Sequence, residues 1–211
     1  MKTAVIAGGS GLIGGKLLQL LLSSDRYSRV IGLTRSELGS HPKLVEIKTD
    51  GTDLDSILTG GIDDVFCCLG TTMAKAGSKE KFYQVDYTYP FELHRTTLGQ
   101  GAKQFLIVTA LGASKKSPVY YNRVKGEIEE AVSGLGFSSL HIFRPSLLMG
   151  QRQESRMGED AAKFFYRVFG FMIPKKFKAI DAEKVAKSMF HFASMDQLGT
   201  FIHESLELQD F

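Results

Sequence analysis

Cysteine is nearly missing from this chain: the 211 residues hold two, Cys67 and Cys68, side by side. Neighbouring thiols cannot cross-link a framework, which excludes a disulfide scaffold and makes a reducing cytoplasm the expected setting. No apolar run approaches the ~18–20 residues of a membrane span. The opening "MKTAVIAGG" enters a strand pattern at once, with no leader-like apolar stretch or cleavage site expected ahead of it. A basic stripe is lacking too. The net charge of +3 is mild; it favours small anions slightly and does not supply the positive face that nucleic acid needs. The five histidines, His41, His94, His141, His191 and His203, stand at no metal-ligand spacing, so no metal is expected. These absences leave a cytoplasmic globular protein whose partner is a small molecule, with a protein partner or a homodimer still open.

What is present is alternation. Strand patterns run over Thr3–Gly8, Arg29–Thr34, Lys43–Lys48, Asp64–Leu69, Gln104–Thr109 and Ser139–Arg144, several of them apolar on both faces. Helical patterns fall at Leu12–Ser23, Lys79–Leu98, Tyr120–Ser133, Gly158–Phe169 and Asp181–Ala193. Strands and helices in turn imply right-handed crossovers and an α/β fold, a doubly wound parallel sheet of Rossmann type flanked by helices. The length suits one domain over 1–211, with 151–178 as a small C-terminal part covering the substrate. The last segment, "FIHESLELQD", reads as one or two edge strands.

Gly8, Gly11 and Gly14 make G-x-x-G-x-x-G between the first strand and the first helix. At this spacing the first glycine allows a sharp turn, the second lets a pyrophosphate approach the main chain, and the third lets helix pack on strand. The N–H groups of Gly11, Leu12 and Ile13 are expected to face the phosphates, aided by the helix dipole. No G-K-[ST] follows, which excludes a P-loop. The second strand ends in Thr34, Arg35 and Ser36 where an NAD site would carry an acid. Arginine suits a ribose 2′-phosphate, with the two hydroxyls as added donors, so NADP(H) is the expected cofactor.

In "YYNRVKGEIEEAV", Tyr121 and Lys125 form Y-x-x-x-K, four apart and hence on one helix face. The chemistry calls for such a pair. Tyrosine ordinarily ionises near pH 10, and a positive charge ~4 Å away at an effective dielectric of about 20 is worth about 4 kcal/mol, or about three pH units of acidity.

The glycine loop and Y-x-x-x-K, with "FCCLGTT" (Phe66–Thr72), "FRPSLLMG" (Phe143–Gly150) and "RQESRMGE" (Arg152–Glu159), give a chain that resembles the atypical short-chain dehydrogenase/reductases. More narrowly it resembles the branch named after the Tat-interacting protein, whose members are NADPH-binding Rossmann proteins. The resemblance spans roughly Ala4 to Asp196. It implies cofactor contacts at Ser10, Gly11, Leu12, Ile13, Arg35, Leu69, Gly70, Tyr121, Lys125 and Leu148, with Arg156 reaching cofactor or substrate. Relatives often carry Ser-Ser at the end of the fifth strand, where this chain has Thr109–Ala110. Thr109, a dozen residues before Tyr121, is the candidate to hold a substrate oxygen, and Ser114 is the alternative.

Two functions follow. One is an NADP(H)-dependent reductase of a small carbonyl-like substrate, with Tyr121, Lys125 and Thr109 as its catalytic residues. The other is an NADPH-sensing regulator without turnover. A sugar-nucleotide epimerase fits less well, because the C-terminal part is short for a nucleotide-sugar lobe. The aromatic, basic run Lys163–Lys178 is read as core and lid before membrane docking. Cys67 and Cys68 are read as small buried residues at the end of the fourth strand.

Overall fold

A computed structural model describes residues 1–149 and 174–211. Seven parallel strands form one sheet in the order β3-β2-β1-β4-β5-β6-β9. These are β1 (Lys2–Ala7), β2 (Tyr27–Thr34), β3 (Leu44–Lys48), β4 (Asp64–Cys67), β5 (Gln104–Val108), β6 (Ser139–Arg144) and β9 (Gly199–Glu204). A two-stranded parallel pair, β7 (Leu148–Met149) with β8 (Ile180–Asp181), stands apart. The order reverses between β1 and β4, the mark of a doubly wound sheet, as expected.

Strand periodicity divides the core in two. Along β1, Ala4 and Ile6 face one layer while Val5 and Ala7 face the other. The first layer packs α1 (Leu12–Ser23) and α7 (Ala182–Ser194) through Leu17, Leu21, Val185 and Met189. The second packs α2 (Leu54–Ile57), α5 (Tyr89–Gly99) and α6 (Tyr120–Ser133) through Leu54, Leu93, Ile128 and Val132. Strands buried on both faces follow from helices on both sides.

Several elements depart from the sequence reading, the short helix α2 and the pair β7–β8 among them, which no pattern there marked. The Lys79–Leu98 stretch is not one uniform helix: α4 (Lys79–Tyr83) passes into a π-turn, Gln84–Thr88, before α5. Pro90 explains this. It lacks an N–H for the carbonyl four residues back, that of Asp86, and its ring crowds that carbonyl. The C-terminal segment holds one strand, β9, followed by α8 (Ser205–Leu208) rather than a second strand. A short helix missed in the sequence, α3 (Met73–Ala76), is capped by Thr72, whose side chain accepts from the Lys75 amide. The expected helix Gly158–Phe169 lies outside the described residues.

The amino edge of the sheet is tied by a buried carboxylate. Asp64 accepts from the Tyr27 hydroxyl at 2.7 Å, Lys2 Nζ at 3.1 Å and Gln104 Nε2 at 3.3 Å. Two buried histidines make the fold acid-sensitive. His94 lies edge-on between Phe105 and Phe137, and His141 stacks against Phe201 and bonds to His203. Burial lowers both to about 4, His203 adding to the effect at His141. Each ring takes up a proton below about pH 6.5 in the unfolded chain but stays neutral in the fold. Stability is therefore full above pH 6.5 and is lost as pH falls toward 4. We expect a loss of about 1–2 kcal/mol per histidine between pH 7 and pH 5. His94→Phe, which fills the same aromatic slot, should remove its share, as thermal unfolding at the two pH values would show.

Candidate functional site

Because every strand pair is parallel, the loops after β1, β2, β4, β5 and β6 all emerge at one edge. The crevice for a ligand in such a sheet lies at this carboxyl edge, where the strand order reverses. Here that is between the turn after β1 and the loop after β4.

The turn after β1 is built by close approach. Gly8 has φ +84°, and a Cβ on it would lie 2.6 Å from the Cys68 carbonyl oxygen. A Cβ on Gly14 would lie 2.1 Å from the Gly8 carbonyl oxygen. These two glycines lock turn, helix and β4 together, while Gly11 is exposed, although a Cβ on it would still lie 3.1 Å from the Gly8 carbonyl oxygen. One expectation is corrected: the Gly11 N–H is not free, because it donates to the Gly8 carbonyl at 2.9 Å. The next amides, of Leu12 and Ile13, open α1, where a helix supplies no carbonyl partner of its own. No side chain caps this helix and its first turn holds no acid. Ile13's side chain is in the core, so only its amide is on offer, and Ser10 beside it is exposed. An uncapped, dipole-bearing helix start with a glycine floor fits a pyrophosphate.

At the end of β2, Arg35 is exposed and has no ion-pair partner among the described residues. Thr34 does not serve as an added donor. Its buried hydroxyl donates to the Ser36 carbonyl at 2.7 Å and accepts from the Ser36 amide at 3.1 Å, which folds the turn that presents Arg35.

Across the crevice, α6 carries Tyr121 half-buried on its first turn, the ring 5.5 Å from that of Phe82. Its hydroxyl has no partner among the described residues. One turn on, Lys125 is buried and forms an ion pair with Asp86 at 2.7 Å, with side-chain exposures of 4% and 0%. Burial opposes the charge on Lys125. The attraction of Asp86, that of Tyr121 and the bond to Asp86 outweigh it and hold the ammonium above the ordinary lysine range. Asp86 is the site residue that the sequence reading lacked. It sits in the π-turn, and its other oxygen accepts from the Thr71 amide at 2.9 Å. The same carboxylate therefore touches the loop that carries Leu69 and Gly70. A Cβ on Gly70 would meet Asp86 and Lys125 at 3.5 and 3.6 Å. The pairing also tempers the expected electrostatics, since the Lys125 charge is not offered to Tyr121 alone.

Thr109 is placed differently from the expectation. It is buried, and its hydroxyl donates to Glu129 Oε1 at 2.5 Å. Glu129 in turn takes two bonds from Arg144, at 3.0 and 2.5 Å, and Arg144 also donates to Glu204. The threonine hydroxyl is thus spent on tying β5, β6 and β9 to α6. Ser114 is exposed; its hydroxyl accepts from the Lys116 amide at 3.3 Å, and its carbonyl carbon lies 2.2 Å from where a Cβ on Gly126 would stand. Leu148 is half-buried in β7, past the end of β6. Arg156 lies outside the described residues, as does most of the expected covering segment. Burial pushes the Cys67 thiol up to about 11 and raises that of Cys68 as well, so neither is a reactive thiolate at neutral pH. Among the described residues no three His, Cys, Asp or Glu side chains group as metal ligands. No described helix is long and apolar enough to cross a membrane.

Comparison with known proteins gives the family and the fold. The model of the family described as "NAD dependent epimerase/dehydratase family" matches residues 4–123. Protein FMP52, mitochondrial, from Debaryomyces hansenii is 31% identical over 201 residues, which cover 91% of this chain and 88% of that one. Protein HTATIP2 from Rattus norvegicus is 36% identical over 171 residues, 78% of this chain and 70% of its own. Among solved structures, MoeE5 in complex with UDP-glucose and NAD superposes with a TM-score of 0.73 at 15% identity, over 95% of this chain and 74% of that one. At that identity the likeness is one of fold. Further fungal relatives are also named mitochondrial, which overturns the cytoplasmic expectation. The scarcity of cysteine behind it speaks against a disulfide framework and does not tell one reducing compartment from another.

Proposed function

The chain belongs to the NAD dependent epimerase/dehydratase family, and on that premise we propose that it is an NADP(H)-dependent oxidoreductase of a small carbonyl-like substrate. The observation that carries the reading is the meeting, at one sheet edge, of an uncapped glycine-floored helix start with a helix face bearing Tyr121 and Lys125. Leu12 and Ile13 hold the pyrophosphate through their amides, and Arg35 takes the 2′-phosphate. Leu69, Gly70 and Leu148 line the nicotinamide end. When bound, NADPH supplies the hydride. Tyr121 gives the proton to the substrate oxygen, and Lys125 holds the ribose and favours the tyrosinate left behind. Oxidation of NADPH across a panel of quinones, aldehydes and ketones tests this directly; no turnover with any class would count against it.

The alternative, an NADPH-sensing regulator without turnover, is supported by one observation: the Thr109 hydroxyl donates to Glu129. A nucleotide-sugar substrate is less well supported. MoeE5 is described with UDP-glucose, but this chain spans only 74% of its length.

Cofactor choice rests on Arg35. A charge-assisted bond to a 2′-phosphate contributes about 1.5–3 kcal/mol. Arg35→Ala should therefore weaken NADPH binding by about 10–150-fold and leave NADH binding nearly unchanged. Calorimetry of both dinucleotides checks it, and equal affinities for the two in the unaltered protein would remove the argument.

A further inference from the structure

Asp86 and Lys125 are both buried, and the chain has gone to some length to bring them together. The carboxylate comes from a π-turn, a geometry that is rare and tends to occur at functional sites, and Pro90, four residues on, accounts for the turn. One oxygen meets Lys125 Nζ at 2.7 Å and the other takes the Thr71 amide at 2.9 Å. Few other groups act on this ammonium. Cys67 on β4 is neutral, Tyr121 lies one turn earlier on α6, and Glu129, one turn later, is occupied by Arg144 and Thr109.

We infer that Asp86 is a positioning residue of the site, which holds the buried Lys125 ammonium in register with the Leu69–Thr71 backbone. The inference rests on the reading above for what Lys125 does to the cofactor. Without its partner, a buried ammonium pays its desolvation cost uncompensated, and it then sheds its proton at a lower pH than an ordinary lysine. The role of Asp86 is thus electrostatic at Lys125 and geometric at Thr71, and two substitutions separate these. Asp86→Asn removes the charge, yet its amide oxygen can still accept from Thr71. Asp86→Ala removes both.

The experiment uses the full chain and two readouts. In thermal unfolding between about pH 6 and pH 9, Asp86→Asn should lower Tm by roughly 6 °C or more at the acid end. The gap should narrow as pH rises, because a group whose folded pKa is depressed regains stability once deprotonated. Adding Lys125→Met to Asp86→Asn should recover most of the loss, since no charge is then stranded. In calorimetry with NADPH, the affinity of Asp86→Asn should decline as pH rises while that of the unaltered protein holds steady. Asp86→Ala should be weaker by a further ~2–10-fold. A Tm gap independent of pH, or a double variant no more stable than Asp86→Asn, overturns the inference. Failure of the unaltered protein to bind NADPH overturns the functional reading instead, and the unfolding data still decide the role of Asp86.

Discussion

Tyr121→Phe is expected to lower kcat by about 10²-fold or more, the scale of acid–base catalysis, while changing NADPH affinity by no more than about 1 kcal/mol. The substitution is clean because of where the ring sits. Its contact with Phe82 at 5.5 Å is kept, and the hydroxyl it removes bonds to no described residue. Lys125→Ala makes an instructive contrast. It should weaken cofactor binding as well as turnover, and it also strands the buried Asp86 carboxylate, so part of its effect will appear as lost stability. Steady-state rates with binding measured alongside distinguish the two. Unchanged turnover in Tyr121→Phe would mean that the proton comes from elsewhere.

Gly14→Ala is expected to be nearly as damaging through the backbone alone. Its Cβ would lie 2.1 Å from the Gly8 carbonyl oxygen and 2.7 Å from the carbonyl carbon, both main-chain atoms held by the turn. The helix must back away, which costs about 1–3 kcal/mol of overpacking strain. It also carries the Leu12 and Ile13 amides off the phosphates. Losing two charge-assisted bonds of about 1.5–3 kcal/mol each should reduce NADPH affinity by about 10²-fold or more. Gly15 is the control. A Cβ there meets only the Gly9 carbonyl oxygen at an ordinary 3.5 Å, so Gly15→Ala should bind normally and gain about 0.5–1 kcal/mol of helix stability. Calorimetry and thermal unfolding of the two neighbours would show the difference; equal effects would contradict it.

The sheet was legible in the sequence because its signals are local and periodic. Ser139–Arg144, Leu12–Ser23 and Tyr120–Ser133 have the bounds their patterns imply. The site was legible only where a motif spells out its own spacing, as G-x-x-G-x-x-G and Y-x-x-x-K do. Asp86 was not, since a buried acid and a solvated one look alike in a sequence. The available signal was Pro90 inside a helical pattern, which marks a disturbed ladder four residues earlier. Glu129 escaped for a related reason. It continues the Tyr121–Lys125 stripe by one more turn, but its partners Thr109 and Arg144 come from strands far away in the chain. The same long-range bond takes the Thr109 hydroxyl, which spacing alone had offered to a substrate. Gly11 shows a smaller version: its amide was counted free until the turn supplied the Gly8 carbonyl.

The proposed function requires one dinucleotide to span the carboxyl edge from the glycine turn to the Tyr121–Lys125 face. Hydrogen exchange with and without saturating NADPH tests it most directly, because the segments involved are remote in sequence. Amides of Gly8–Ile13, of Leu69–Thr71 and of the first turns of α6 should all slow together. Protection confined to other segments, or none at any of these three despite bound NADPH, would contradict the account.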